Sequence, residues 1–142
     1  TYIDEDGQKK TPVMLHRALF GSLERFTGIL LEHYAGQLPL WLSPLQAMIT
    51  TITSDSNDYA YQVYDALKSA GIRAKTDIRN EKIGYKIREH SNAKVPIIIA
   101  VGKKESEEKT VSIRRLGSQE TKVIKLDDII ATLQNESSIP ST

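Results

Sequence analysis

Apolar and polar residues alternate regularly from residue 46 onward, with strand-type and helix-type periods following one another. The predicted elements are, in order, a strand at 46–54, a helix at 56–71, a strand at 72–78, a helix at 80–92, a strand at 95–102, a hairpin over 109–126 that turns at Gly117-Ser118, and a final helix capped by Asp127. The strand at 95–102, VPIIIAVG, is a continuous apolar run, which is typical of a strand buried on both faces.

The first 36 residues follow a different pattern. After a turn signal, DEDG, the stretch 11–20 predicts a strand, and apolar spacing predicts a helix from Ser22 to Tyr34 with Ser22 as its N-cap and Gly36 as its stop. A strand pair and one helix cannot bury two apolar faces alone, so this part is expected to belong to a larger domain. The proline-bracketed stretch 37–45 is predicted to be an extended connector.

Strands alternating with helices predict an α/β fold with parallel strands and right-handed crossovers, and the terminal hairpin makes the sheet mixed. We therefore expect a mixed five-stranded sheet with three helices, preceded by a strand–helix remnant of another domain. The boundary is placed between residues 39 and 40, which divides the chain into 1–39 and 40–142.

Composition restricts the class of protein only broadly. The chain has no cysteine, which suits the reducing cytoplasm, and no apolar run approaches the roughly 20 residues of a membrane helix. Its net charge is +1, but eight cations and three anions between Lys68 and Lys94 give that segment a net charge of +5. This segment is either a face that attracts phosphates or an ordinary salt-bridged surface.

Two candidate residues have an unusual position in a predicted helix. Arg25 lies in a first turn, where the helix dipole favours anions, so it either helps to hold a phosphate or pairs with Glu24 or another neighbouring acid. Asn80 is either the N-cap of the next helix or a loop amide, beside Arg79 and Lys82, that can read a base edge.

The other candidates have weaker local signals. A lone histidine such as His16 is more often structural than a ligand, and Glu105 and Arg114 are ordinary surface charges by local sequence. No nucleophile–base pair, glycine-rich phosphate loop or paired carboxylates occur in the sequence. Residues 46–136 are therefore interpreted as a binding module.

Two stretches carry a family resemblance. MLHRALFGSLERFTGILLEHYAG resembles the third conserved motif of class II aminoacyl-tRNA synthetases in its threonyl form. AGIRAKTDIRNEKIGYKIREH and KVPIIIAVGKKE resemble the anticodon-binding domain of the same enzymes, whose relatives occur in prolyl-, histidyl- and glycyl-tRNA synthetases. The resemblance implies that residues 1–39 are the C-terminal end of a catalytic domain and that residues 40–142 are an anticodon-binding domain.

The resemblance also implies roles for three residues of the first part. The family's arginine at the position of Arg25 reaches the ATP phosphates, the position of Ser22 lies beside the amino-acid site, and the position of His16 is one of three zinc ligands. ATP, magnesium and zinc are accordingly expected in the parent enzyme, and none is expected to be bound to this fragment.

In the second part the resemblance implies binding to threonine tRNA. The family's anticodon contacts fall at Asn80, Lys82, Glu105 and Arg114. On charge alone, Lys86 is also expected to attract phosphates.

The earlier class II motifs are missing from the chain, so we expect a fragment that does not activate threonine by itself. The parent is expected to be a cytoplasmic homodimer, and the fragment a monomer that makes no membrane contact. The alternatives are a free-standing RNA-binding or regulatory protein built on an anticodon-binding domain, and another class II synthetase.

Overall fold

The computed structural model of the protein describes residues 1–140. The strands are β1 Tyr2–Ile3, β2 Lys9–Lys10, β3 Ala47–Thr51, β4 Ala74–Asp77, β5 Ile97–Val101, β6 Thr110–Arg115 and β7 Thr121–Lys125. The helices are α1 Leu23–His33, α2 Asn57–Ser69, α3 Ile83–Asn92, α4 Lys103–Glu108 and α5 Leu126–Ser137, with a 3₁₀ helix at Ser54–Ser56. Within residues 1–140 no helix has both the length and the apolar character needed to cross a membrane.

Strands β3 to β7 form one mixed sheet in the order β4-β3-β5-β6-β7. Strands β4, β3 and β5 are parallel, whereas β6 and β7 are antiparallel to their neighbours. The chain moves from β3 to β4 through α2 and then back across β3 to β5 through α3. Because both crossovers are right-handed, α2 and α3 cover opposite faces of the sheet. The mixed five-stranded sheet predicted from the sequence is confirmed.

The main core lies between the sheet and helices α2 and α5. Its residues include Ala47, Ile49, Ile97, Ile99, Val101, Val111 and Ile113 from the strands and Tyr59, Ala60, Val63, Leu67, Ile129 and Leu133 from the helices. Side chains alternate between the faces of a strand, so residues between these core positions point toward the α3 side. That alternation determines which side chains of β6 pack into the core and which lie on the α3 side.

The predicted strand at 11–20 is wrong. Strand β2 ends at Lys10, residues 11–18 form no regular element, and their side chains are exposed. Pro12 lacks an N–H group, and within residues 1–140 no neighbouring strand pairs with the residues that follow it. Helix α1 does form, with Ser22 as its N-cap, as predicted.

Three smaller expectations also need correction. The expected number of three helices beside the five-stranded sheet is too low, because α4 was not predicted. Helix α4 has only charged residues and one serine, and therefore no apolar stripe to indicate a helix. Asp127 does not cap α5, because that helix begins at Leu126 and Lys125 occupies the N-cap position. The 37–45 connector is not extended, since the N–H groups of Leu42 and Ser43 turn back to the Pro39 carbonyl.

A buried lysine joins α3 to the carboxyl ends of two strands. Lys86 is 1% exposed, and its Nζ donates to the backbone oxygens of Thr51 and Asp77, each at 3.1 Å. The Asp77 carboxylate lies 4.0 Å from the same Nζ. Burial lowers the pKa of Lys86, against the opposing effect of Asp77. The side chain therefore fixes β3, β4 and α3 relative to one another.

Asp77 is the centre of an ionic cluster beside that lysine. Arg79 donates to both carboxylate oxygens of Asp77, at 2.9 and 2.7 Å, and also pairs with Glu89 at 3.0 Å. His90 Nε2 lies 2.7 Å from Asp77 Oδ2. The Arg79 guanidinium holds the pKa of Asp77 well below its usual range, although burial alone would raise that pKa. Together these contacts tie the start of the loop between β4 and α3 to the end of β4 and to the C-terminal half of α3.

We predict a large difference between two valines of the hairpin. Val111 is fully buried against the core, whereas Val123 on the neighbouring strand is 61% exposed. Val111→Ala should lower the free energy of unfolding by about 2–3 kcal/mol, because it removes two buried methyl groups and leaves a cavity. Val123→Ala, the matched control, should cost less than about 1 kcal/mol. Equal losses in urea denaturation would contradict the assigned faces of the hairpin.

A second prediction concerns Asp77 and pH. Because the folded-state pKa of Asp77 is depressed, its ion pairs contribute fully above the unfolded pKa of about 4 and are lost as the pH falls below it. Asp77→Asn should cost about 3 kcal/mol at pH 7, and this difference from wild type should shrink between about pH 4 and pH 2. Asp65→Asn, on the exposed face of α2, is the control. A difference that stays constant down to pH 2 would refute the role of the charge.

Candidate nucleic-acid interface

The α3 side of the sheet is only partly covered. Helix α3 packs on β3 and β5, and α4 contacts β5 and β6, so the open part of that side is formed by β7 and the Arg114 end of β6. Because Val111 and Ile113 face the main core, Ser112 and Arg114 face the open side. Their partners on β7, Val123 and Thr121, are exposed. The result is an open sheet surface bordered by α3.

Arg114 lies where this surface meets α3. Its Nε donates to the Ser118 carbonyl at 2.9 Å and one terminal nitrogen donates to Gln119 Oε1 at 3.3 Å, so the hairpin turn orients the guanidinium. The side chain borders a groove of about 330 Å³ lined by Gly84, Ile87, Arg88, Ser91, Asn92, Arg114 and Gln119. A half-buried arginine held in this way retains donors for an acceptor in the groove.

Glu105 is held on the same side of the sheet. Its Oε1 accepts a hydrogen bond from Ser112 Oγ at 2.8 Å, and its Oε2 accepts one from the Gly102 N–H at 3.0 Å. Burial alone would raise the pKa of Glu105, but these hydrogen bonds outweigh it and the pKa lies below its usual value. The carboxylate is therefore charged at neutral pH and closes the first turn of α4. Sequence reasoning missed this contact because it missed α4.

Asn80 and Lys82 lie on the exposed loop that leads into α3. The alternative that Asn80 caps the helix is wrong, because α3 begins at Ile83 and the N-cap position is Lys82, which makes no side-chain capping bond. The Asn80 amide is thus not used to begin the helix. Asn80 and Lys82 lie on the loop that enters α3, Glu105 and Arg114 lie on the sheet face beside α3, and none of the four is fully buried.

The predicted basic face is smaller than the sequence suggests. Arg73 donates to the backbone oxygens of Ser43 and Trp41, at 3.0 and 2.9 Å, and so anchors the connector. Arg79 is paired within the ionic cluster. The expectation for Lys86 is wrong, because its ammonium is buried and bonded to strand carbonyls. A cation with so little exposure cannot meet a phosphate.

Three further residues border the interface and were not singled out from the sequence. Tyr85 and Arg88 are exposed on α3, and Gln119 is exposed in the hairpin turn. For Tyr85 and Arg88, the helical spacing of the sequence could have indicated that both side chains are exposed. Because Lys86 and His90 face the sheet, positions 85 and 88, three residues apart, lie together on the outer side of α3.

The candidate residues of the first part lie outside the sheet domain's core. The N–H of Arg25 donates to Ser22 Oγ at 3.1 Å, and the rings of Phe20 and Phe26 pack across this cap with their centroids 4.6 Å apart. Within residues 1–140 the Arg25 guanidinium makes no ion pair, so the alternative of a bridge to Glu24 is wrong. His16 is exposed, and no group of three metal-ligating side chains occurs in that range.

Sequence comparison gives one family and a consistent set of relatives. The family model described as an anticodon binding domain matches residues 46–136. A threonine–tRNA ligase of Novosphingobium aromaticivorans is 61% identical over 99% of this chain, and one of Rhodopseudomonas palustris is 60% identical over 98%. The chain spans 21% of the length of each relative.

Solved structures agree. The RNA-binding domain of threonyl-tRNA synthetase from Cryptosporidium parvum matches with a TM-score of 0.79 and 32% identity, over 85% of this chain and 30% of that one. Prolyl-tRNA synthetase from the same organism matches with a TM-score of 0.60 and 25% identity, over 69% of this chain and 23% of that one. The resemblance inferred from the sequence is confirmed, and the chain belongs to the anticodon-binding domain family.

Proposed function

We propose that the chain is the C-terminal part of a threonine–tRNA ligase and that its sheet domain binds the anticodon of threonine tRNA. The observation that supports this most directly is that Asn80 and Lys82, on the loop that enters α3, and Glu105 and Arg114, on the sheet face beside α3, all remain at least partly exposed. An exposed amide, two cations and a charged carboxylate together offer donors and acceptors to the edges of unpaired bases. The remaining open surface of β6 and β7 can accommodate a nucleotide loop.

The first part of the chain supports the proposal that it belongs to a longer enzyme. Large apolar side chains between residues 13 and 31 are exposed, in contrast to the closed core of the sheet domain. Such a surface is normally covered by other protein. In the parent enzyme these residues would pack within a catalytic domain that joins threonine to ATP and transfers it to tRNA.

The exposed Arg25 fits the role of a phosphate ligand in that enzyme. The guanidinium lies at a helix N-terminus, where free N–H groups and the helix dipole also favour an anion. It would stabilise negative charge on ATP, accompanied by magnesium, as pyrophosphate leaves. We propose that Ser22, which caps the same helix, borders the amino-acid site.

His16 fits a zinc site only in part. Its exposed imidazole offers one nitrogen, whereas zinc in proteins is typically held by three or four ligands. The other ligands would come from parts of the parent enzyme outside this chain, where zinc would act as a Lewis acid toward the substrate. The proposal for His16 therefore applies to the parent enzyme alone.

Two alternatives make different predictions. A free-standing RNA-binding protein built on this domain would not need a partner for the apolar residues 13–31. Another class II synthetase would not prefer threonine tRNA over proline or histidine tRNA. The identities of 60–61% to threonine–tRNA ligases, which extend through the first part of the chain, favour the proposal.

The test is a titration of the chain with threonine tRNA and with variants of that tRNA altered in the anticodon, at two salt concentrations. The proposal requires the matched anticodon to bind more tightly at both concentrations. Equal affinities for all anticodons would refute it.

Neighbouring arginines provide a prediction about base readout. Arg114 faces the open side, whereas Arg115 pairs with Glu136 of α5 at 2.7 Å on the other face. Arg114→Ala and Asn80→Ala should each weaken binding of threonine tRNA by about 1–3 kcal/mol and should affect an anticodon-swapped tRNA less. Arg115→Ala is the control and should leave affinity nearly unchanged. Equal losses for both tRNAs would show backbone contact in place of base readout.

Two lysines near the start of α3 provide a prediction about salt. Lys82→Met should reduce the salt dependence of tRNA affinity by about one phosphate contact, because its ammonium is exposed. Lys86→Met should leave the salt dependence unchanged and should instead lower thermal stability, because two strand carbonyls lose their donor. Binding isotherms across a salt series, with melting curves for both variants, make the comparison. A reduced salt dependence in Lys86→Met would contradict its assigned place.

A further inference from the structure

Tyr85 is the large aromatic side chain on the proposed binding side that is most open to solvent. It lies in the first turn of α3 and is 56% exposed. The adjacent Lys86 is buried and fixed to the strand ends, so the backbone that carries the tyrosine is held in place. An exposed ring on a fixed helix loses little conformational freedom when a ligand packs against it.

The surroundings of this ring are open and cationic. A cavity of about 400 Å³ is lined by Lys82, Gly84, Tyr85 and Arg88. Gly84 contributes no side chain, and a Cβ placed there would meet no other atom within 4 Å, so the approach to the ring is clear. The two flanking cations favour a negatively charged ligand.

This cavity adjoins the groove at Arg114. Gly84 and Arg88 line both spaces, so the surface runs from Arg114 past Arg88 to the ring of Tyr85. An aromatic face between cations is the arrangement with which proteins bind unpaired nucleotides, because the ring stacks on a base while the cations hold the phosphates.

We propose that Tyr85 is a further binding residue, which stacks on an unpaired base of the anticodon loop or its 3′ flank. This inference rests on the proposed function and deepens it, since it adds an aromatic contact to the polar contacts proposed for this surface. Stacking tolerates any base, so Tyr85 supplies affinity while the polar residues supply the choice of anticodon.

The experiment is a titration of the chain with the anticodon stem–loop of threonine tRNA, with 2-aminopurine in place of single loop bases as a stacking probe. Tyr85→Ala should weaken binding by roughly 10-fold and remove the fluorescence quenching at one loop position. Tyr85→Phe should bind within about 2-fold of wild type, because the ring is retained. Tyr85→Leu should bind as weakly as Tyr85→Ala, because an aliphatic chain packs but does not stack.

Tyr61→Ala is the matched control. Tyr61 is 46% exposed on α2, which covers the other face of the sheet. If the wild-type chain binds the anticodon stem–loop and Tyr85→Ala binds it as tightly as Tyr61→Ala does, the stacking inference is overturned and the proposed function stands. If Tyr85→Leu restores affinity, the side chain only packs and the inference is again overturned. If the wild-type chain does not bind the anticodon stem–loop, the proposed function and the inference fail together.

Discussion

A single buried ammonium group determines how the interface is held. Lys86 reaches from α3 into the sheet and donates to the backbone carbonyls of the last residues of β3 and β4. Burying an unpaired charge would cost several kcal/mol, but here two carbonyl oxygens and the nearby Asp77 carboxylate replace the lost water. An apolar residue at this position could fill the space but could not satisfy those carbonyls.

The loop that begins at Ile78 is held in place next to these Lys86 contacts. Its start is fixed by the pairing of Arg79 with Asp77, and its end is fixed by the first turn of α3. Between these anchors the side chains of Asn80 and Lys82 are left exposed. A polar group held ready before a ligand arrives loses less conformational entropy on binding than one on a mobile loop. The ionic cluster thus supports the proposed recognition surface by holding this loop.

Sequence patterns predicted the fold well wherever apolar periodicity was strong. The apolar run of β5, the stripe of α2 and the Gly117 turn each mark their elements clearly, and all three are present. Helix α4 was not predicted because its six residues carry no apolar stripe. The strand predicted at 11–20 does not form, because β-branched and apolar residues favour a strand only where a partner strand exists.

The surroundings of the candidate residues could not be predicted from the sequence. Lys86 looks like any surface lysine in sequence, since only the packing of α3 on the sheet shows that its ammonium is enclosed. Asn80 matched the pattern of an N-cap, and the helix begins too late to use it. The hydrogen bonds of Glu105 depend on Ser112, a partner seven residues away across a strand boundary. Such contacts follow from tertiary structure, which local spacing does not encode.

The hairpin turn at Gly117 has an importance beyond its own stability. Arg114 and Arg115 point to opposite faces, one toward the open surface and one toward Glu136, and their assignment depends on the pairing of β6 with β7 and β5. Strand side chains alternate with a period of two, so sliding β6 by one residue would exchange the two arginines. An insertion or deletion that shifts the register of β6 would therefore exchange the arginine on the open side for the one paired with Glu136, while leaving composition and charge almost untouched.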